Sequence, residues 1–431
     1  MKCVKTLIIV VLLLSLGLLP VNANAAEKVQ LRFQTWHLGE EPWRSVLEEM
    51  KKDFEENNPD IEIVFERVTY GDKEMIFTTQ SEARAAADHV HFSYRPIQNF
   101  AEQGYLLDLT PFIEKEGPDF LDEFLPSPLA MGTIDGRIYA LPDNFDPMVL
   151  IYNARLFEEA GLDPDRPPRT RTEFLEYAKK LTRDTNGDGR IDQWGFALMG
   201  ARQEGLFMRF NPWFWGSGAQ YLTEDNKSSA LNTPEALDGV RFYTELHTKH
   251  GVVPPAPIET GAQEARIQMA NRQVAMMVGF APTPNILKNL NPEMDVYKEL
   301  KMAPIPSGDI KATAAWISFR VISTHTKHPE EAWRLYKYVH SFENQLRWFH
   351  GAGVLSSRKD VRFSEPIMND PFALVMAEQA EYVKYEPLIP EWTEIGDLMI
   401  TAIQDILSGR KNEEKALADT HDAINEILSR R

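Results

Sequence analysis

Cysteine is nearly absent from this chain of 431 residues. The single one, Cys3, lies ahead of an apolar run at residues 7–19, so the rest of the chain offers no disulfide, thiol nucleophile or thiolate metal site. Positive charge is also scarce: 46 Lys and Arg stand against 64 Asp and Glu, a formal net charge of −18. Such a surface disfavours nucleic acid and anionic lipid as partners. No G-x-S-x-G, H-E-x-x-H or phosphate-loop motif occurs, and no spacing isolates a carboxylate pair for glycosidic cleavage. The run at 7–19 is too short to span a membrane.

What is present begins with Lys2 and Lys5, that apolar run, and Ala23-Asn24-Ala25 as a small-x-small cleavage site. Residues 1–25 are expected to be a signal peptide. With no cysteine at the cleavage point, a lipid anchor is not expected, and the periplasm is the expected location. The remainder exceeds what one hydrophobic core normally serves, so two lobes are expected.

Residues 29–36 alternate as a half-buried strand with Trp36-His37 at its C-terminal end. Pro42 opens a helix with Trp43, Val46, Leu47, Met50 and Phe54 on one face. Strands follow at 61–68 and 89–94, and strand, helix, strand, helix, strand argues for an open α/β sheet with ligands at its C-terminal strand ends. Asp135-Gly136 has the spacing of a two-residue hairpin turn. An apolar strand at 148–152 leads into a helix at Asn153, and Thr170 to Glu173 reads as a capping box. Thr233-Pro234 starts another helix. After an apolar strand at 274–280, the chain is expected to return to the first lobe.

Several segments together resemble the sugar-binding extracellular solute-binding proteins of ABC importers, of the maltose-binding-protein type. They are GYLLDLTPFI from Gly104, the G-x-x-Y-A-L-P stretch from Gly136 to Pro142 ahead of Tyr152-Asn153, ANRQVAMMVG ending at Gly279, MAPIPSG from Met302 and HPEEAWRLYKYV from His328. The resemblance implies an α/β, two-lobed periplasmic binding protein of type II-like architecture, each lobe a mixed open sheet flanked by helices. It implies an N-terminal lobe of 26–146 plus 281–315 and a C-terminal lobe of 147–280 plus 316–431. Segments 141–150, 280–284 and 312–319 are the expected hinge and cleft floor. The implied ligand is a mono- or oligosaccharide and the implied partner a membrane permease, with a monomeric, non-enzymatic receptor that needs no cofactor.

Sugar rings present a face of C–H bonds that an aromatic ring can cover while polar neighbours bind hydroxyls. Trp36, Tyr94, Phe145, Trp213, Phe214, Trp215, Trp316 and Trp392 are the aromatic candidates, with Phe280 at the expected hinge. Asn211 to Gly218 draws particular notice, because one face of a helix or strand cannot bury all of Trp213, Phe214 and Trp215. Polar candidates are His37, Asp143, Asn144 and Asp146. If two of the bases His37, Arg95 and Arg320 face the cleft, an acidic or uronate-bearing sugar is expected. Asp184, Asn186, Asp188, Arg190 and Asp192 match the first positions of a calcium loop, though Gly195 stands where the bidentate glutamate belongs, and a structural calcium is the expectation to test. Two other readings stay open: a secreted lyase or glycosidase, and a binding protein for a non-sugar solute such as a polyamine.

Overall fold

Apolar residues at alternate positions, Leu31 and Phe33 on one strand with Ile61 and Ile63 on the next, lie against Val46, Leu47, Met50 and Phe54 of one helix. That pairing of a period-two face with a helical stripe builds the first lobe. The computed structural model describes residues 28–203, 205–308 and 310–430; the expected signal peptide, Cys3 included, lies outside them. The first sheet runs in the order Ile61–Arg67, Val29–Thr35, His89–Ser93, Ser318–Ile322, Leu141–Pro142. Its first three strands are parallel and Ser318–Ile322 is antiparallel to both neighbours.

The second sheet runs Leu300–Ala303, Val149–Asn153, Val274–Gly279, Trp194–Phe196. Val149–Asn153 is antiparallel to both neighbours, and all five of its residues are buried. One face packs on the helices Arg171–Leu181, Gly205–Gly216 and Pro234–Thr248, and the other on a separate cluster around Met269, Leu287 and Met376. Thr170 accepts from Glu173 N at 3.1 Å while Glu173 reaches back to Thr170 N, completing the capping box. Gly195 brings its strand against that helix: a Cβ there would lie 2.2 Å from the Ala178 carbonyl oxygen. Asp135 and Gly136 both have positive φ, 50° and 76°, as the predicted two-residue turn requires.

The chain crosses between lobes at three places. The first runs from Leu141–Pro142 through Asp146–Pro147 to Val149–Asn153; the second runs from Leu300–Ala303 through Ala315–Trp316 to Ser318–Ile322. These two form a short ribbon, with Ala315 opposite Pro147 and Trp316 opposite Asp146. The third, at 353–357, leaves the helix Phe342–Ala352 on the first core and places Leu355 in the second lobe.

This wiring corrects two sequence expectations. The strand within 281–315 belongs to the second sheet, and 316–352 belongs to the first lobe, where Tyr336 of the helix Pro329–Val339 donates to Arg320 O at 2.6 Å. Likewise 280–284 is not a crossing, because the chain passes through the helix Thr283–Leu290 and returns to pair beside Val149–Asn153. An apolar strand suits either sheet equally, so local pattern is silent on which partner it finds.

Candidate ligand-binding site

Where the strand Val29–Thr35 ends, a single 3-10 turn, Trp36–Gly39, delivers Trp36 and His37 to the gap between the lobes. Thr35 Oγ1 fixes the turn by accepting from His37 N at 3.2 Å. Trp36 stacks on His91 of the neighbouring strand at 3.8 Å between centroids and 13° between planes. Its edge meets Tyr70 at 5.2 Å and Trp316 at 6.3 Å. Trp316 also faces Tyr70 at 5.5 Å and Phe280 at 6.3 Å. Trp36 and Phe280 are buried while Trp316 and Tyr70 are only half-buried, so Trp316 is the central aromatic surface still open to a ligand.

These rings line an interlobe cleft of about 280 Å³ with Asp143, Asn144, Asp146, Arg209 and Arg266. The volume lies just below the range of about 300–1,000 Å³ for small-molecule sites. Asn144 knits the hinge: its Nδ2 donates to Trp316 O at 3.0 Å and its Oδ1 accepts from Ser318 N at 3.0 Å. The third crossing joins them, Leu355 N donating to Asp146 Oδ1 at 3.0 Å and Phe145 N to Leu355 O at 3.0 Å. Burial pushes the Asp146 carboxyl up to about 7, against the amide of Leu355 and the Asn144 side chain that favour its charge. Asp143 accepts from Arg320 Nε at 2.8 Å and Gln345 Nε2 at 3.1 Å. Both aspartates therefore shape the hinge before they meet any ligand.

Of the residues expected to bind, the cleft gathers Trp36, His37, Asp143, Asn144, Phe280 and Trp316. Phe145 turns away into the first-lobe core beside Phe92 and Phe319. Trp213, Phe214 and Trp215 are 1%, 0% and 2% exposed and lie deep in the second lobe. They belong to the helix Gly205–Gly216, which is enclosed on every side, so three consecutive rings find three different neighbours. Tyr94 and Trp392 border a second cavity of about 250 Å³ that shares no lining residue with the cleft. There Tyr94 and Arg95 both donate to Glu386, with Asn211 Nδ2 donating at 2.8 Å, and burial pushes Glu386 up to about 8.

The predicted bases do not make the cleft cationic. Arg320 is fully buried on Asp143, Arg95 is bound to Glu386, and burial holds His37 well below its ordinary value, hence neutral. Arg209 and Arg266, absent from the sequence expectations, line it instead. The calcium loop is closed by its own amides: Asp184 accepts from Gly187 N and Gly189 N, Asn186 from Asp188 N, Asp188 from Arg190 N, and Asp192 from Thr185 N. Among the described residues no group of three His, Cys, Asp or Glu is placed to hold a metal ion.

Residues 40–346 match the model of the bacterial extracellular solute-binding protein family. The chain belongs to that family. The resemblance read from its motifs therefore holds, and so does the α/β two-lobed fold. A binding protein of Brucella abortus strain 2308 is 26% identical, covering 89% of this chain and 90% of its own. The maltodextrin-binding protein of Bacillus subtilis strain 168 is 22% identical over 90% of this chain and 88% of its own. Among solved structures, a solute-binding protein of Thermotoga lettingae bound to α-D-tagatose superposes with a TM-score of 0.83 at 26% identity, covering 94% of this chain and all of that one. The maltose-bound T. maritima MalE3 gives 0.82 at 25% identity, covering 93% of this chain and all of that one. Among the described residues of this solute-binding protein, no helix is long and apolar enough to cross a membrane.

Proposed function

We propose that this chain is the periplasmic receptor of an ABC importer, taking one mono- or oligosaccharide between its lobes and handing it to a membrane permease. The observation that carries the reading is the half-buried Trp316 ring at the junction of two hinge segments, with Trp36, Tyr70 and Phe280 around it. A sugar stacked there touches both lobes at once, which favours the closed form over the open one. Transport of this kind needs differential affinity and no bond breaking. In keeping with that, Asp143 and Asp146 each accept hydrogen bonds from hinge groups and so hold the crossings together.

The receptor acts as a monomer released without a lipid anchor, beginning near Ala26; N-terminal sequencing of exported protein checks this, and an acylated terminus rejects it. The ligand class is tested by thermal shift of the mature protein against neutral and acidic mono- and oligosaccharides. A saccharide bound only by the folded state raises the melting temperature by mass action. Turnover of any of them, abolished by Asp146→Asn, would replace this reading by an enzymatic one.

A further inference from the structure

Among the described residues, two guanidinium groups on the second-lobe wall of the cleft have no carboxylate within ion-pair distance. Arg209 is 5% exposed and Arg266 8% exposed, and each places its guanidinium carbon 5.9 Å from the centroid of the same Phe280 ring. Arg209 donates to Gly205 O at 3.2 Å, its Nε has no acceptor, and Arg266 Nε has none either. The other deeply buried arginines each have a partner of their own, although Arg320 Nη1 and Nη2 and Arg362 Nη2 remain without one. Arg320 is paired with Asp143, Arg358 with Glu123 and Asp360, and Arg362 donates to the carbonyls of Phe145 and Ser356.

An unpaired buried charge is expensive, and two side by side are more so because they repel. Burial and the neighbouring Arg266 lower Arg209 to about 9, and only Glu40, beyond ion-pair distance, pulls Arg266 the other way. Among the described residues the remaining cleft carboxylates are engaged: Asp143 and Asp146 in the hinge, and Glu264 accepting from Gly261 N at 2.9 Å. A fold that retains such a pair in a solvent-reached cleft leaves a place for an anion that arrives with the ligand.

Resting on the reading of this cleft as a saccharide site, we propose that Arg209 and Arg266 bind the carboxylate of an acidic sugar, which makes the protein a receptor for uronate-bearing saccharides. The planar guanidinium fork matches a carboxylate bidentately, while Trp316 covers the ring that bears it. Sulfate and phosphate share the negative charge but not the planar geometry, so they serve as competitors in the test.

Calorimetric titration of the mature chain compares galacturonate, glucuronate and digalacturonate with galactose, glucose and maltose, and with glucose 6-sulfate and glucose 6-phosphate. The uronate-bearing sugars are expected to bind about 10- to 100-fold more tightly than their neutral parents. Arg209→Gln and Arg266→Gln should each abolish that preference. The unliganded variants should melt at the same temperature or higher, since each removes an uncompensated charge; a purely structural arginine would lower it. Equal affinity for neutral and acidic sugars overturns the carboxylate assignment and leaves the saccharide reading standing. Preference for the sulfate or phosphate sugar overturns it in favour of a tetrahedral anion. Preference retained in both variants, with lowered melting temperatures, overturns it in favour of a structural pair. Binding of no saccharide in the panel removes the saccharide reading and this assignment together.

Discussion

Trp316 and Trp213 have the same side chain and opposite surroundings. The first is half-buried between Trp36, Tyr70 and Phe280, the second 1% exposed against Phe174 and Phe242. Trp316→Ala should weaken saccharide binding by about 1–3 kcal/mol with little change in melting temperature. Trp213→Ala should destabilise the fold by about 3–5 kcal/mol, by denaturant titration, with no selective loss of affinity. The cleft residues legible in the sequence were those at strand ends and crossings: Trp36, His37, Asp143, Asn144, Phe280 and Trp316. Tyr70, soon after the predicted strand at 61–68, had the same positional signal. Arg209 and Arg266 had none, because neither lies at a predicted strand end or crossing and an arginine is ordinarily exposed until the fold shows what encloses it.

Segments with strong local chemistry matched expectation because their causes are local. Asp135-Gly136 needs two positive φ angles, and Thr170 with Glu173 needs only one turn of helix. Thr170→Ala should lower stability by about 1 kcal/mol, read as a lower denaturant midpoint at unchanged slope. Gly195→Ala should do more, about 1–3 kcal/mol, because its Cβ would strike the backbone of Ala178 rather than a yielding side chain. Elements decided by long-range packing were misread. The helix Gly205–Gly216 contains Pro212 and three adjacent aromatic rings, features that locally suggest a loop, yet burial on all sides sustains it. The side on which Leu300–Ala303 and Ser318–Ile322 fall was illegible for the same reason.

At the scale of the described molecule, three crossing segments interlock into a hinge, and four histidines gather around the buried Arg320. Asn144 and Asp146 join all three crossings through Trp316, Ser318 and Leu355. Rotation about so narrow a waist should shrink the radius of gyration in scattering when a cognate sugar binds, and an unchanged radius with binding confirmed would reject a two-lobed clamp. Near Arg320 lie His37, His89, His91 and His340, all held below their ordinary value chiefly by burial. The unfolded chain takes up these protons below about pH 6.5 while the folded one resists, so their contribution is intact above that pH and declines as pH falls. The melting temperature should fall between pH 6.5 and 5, and His89→Phe, filling the slot between Phe33 and Tyr336, should shallow the fall.

The position of Ser318–Ile322 inside the first sheet bears on how the chain leaves the ribosome. Until that strand emerges, His89–Ser93 has an unpaired edge, and Leu141–Pro142, which bonds only to Ser318–Ile322, has nothing to join. Contacts so far apart in sequence form slowly, and an amino-terminal half with an open edge cannot finish its core. For the export proposed above, a nascent chain that stays open until late in synthesis is the state a secretion channel accepts. Moving 318–352 to follow 142 by rearranging the gene would let the first lobe close early, and slower export of the rearranged chain in a pulse-chase would be the cost of that haste.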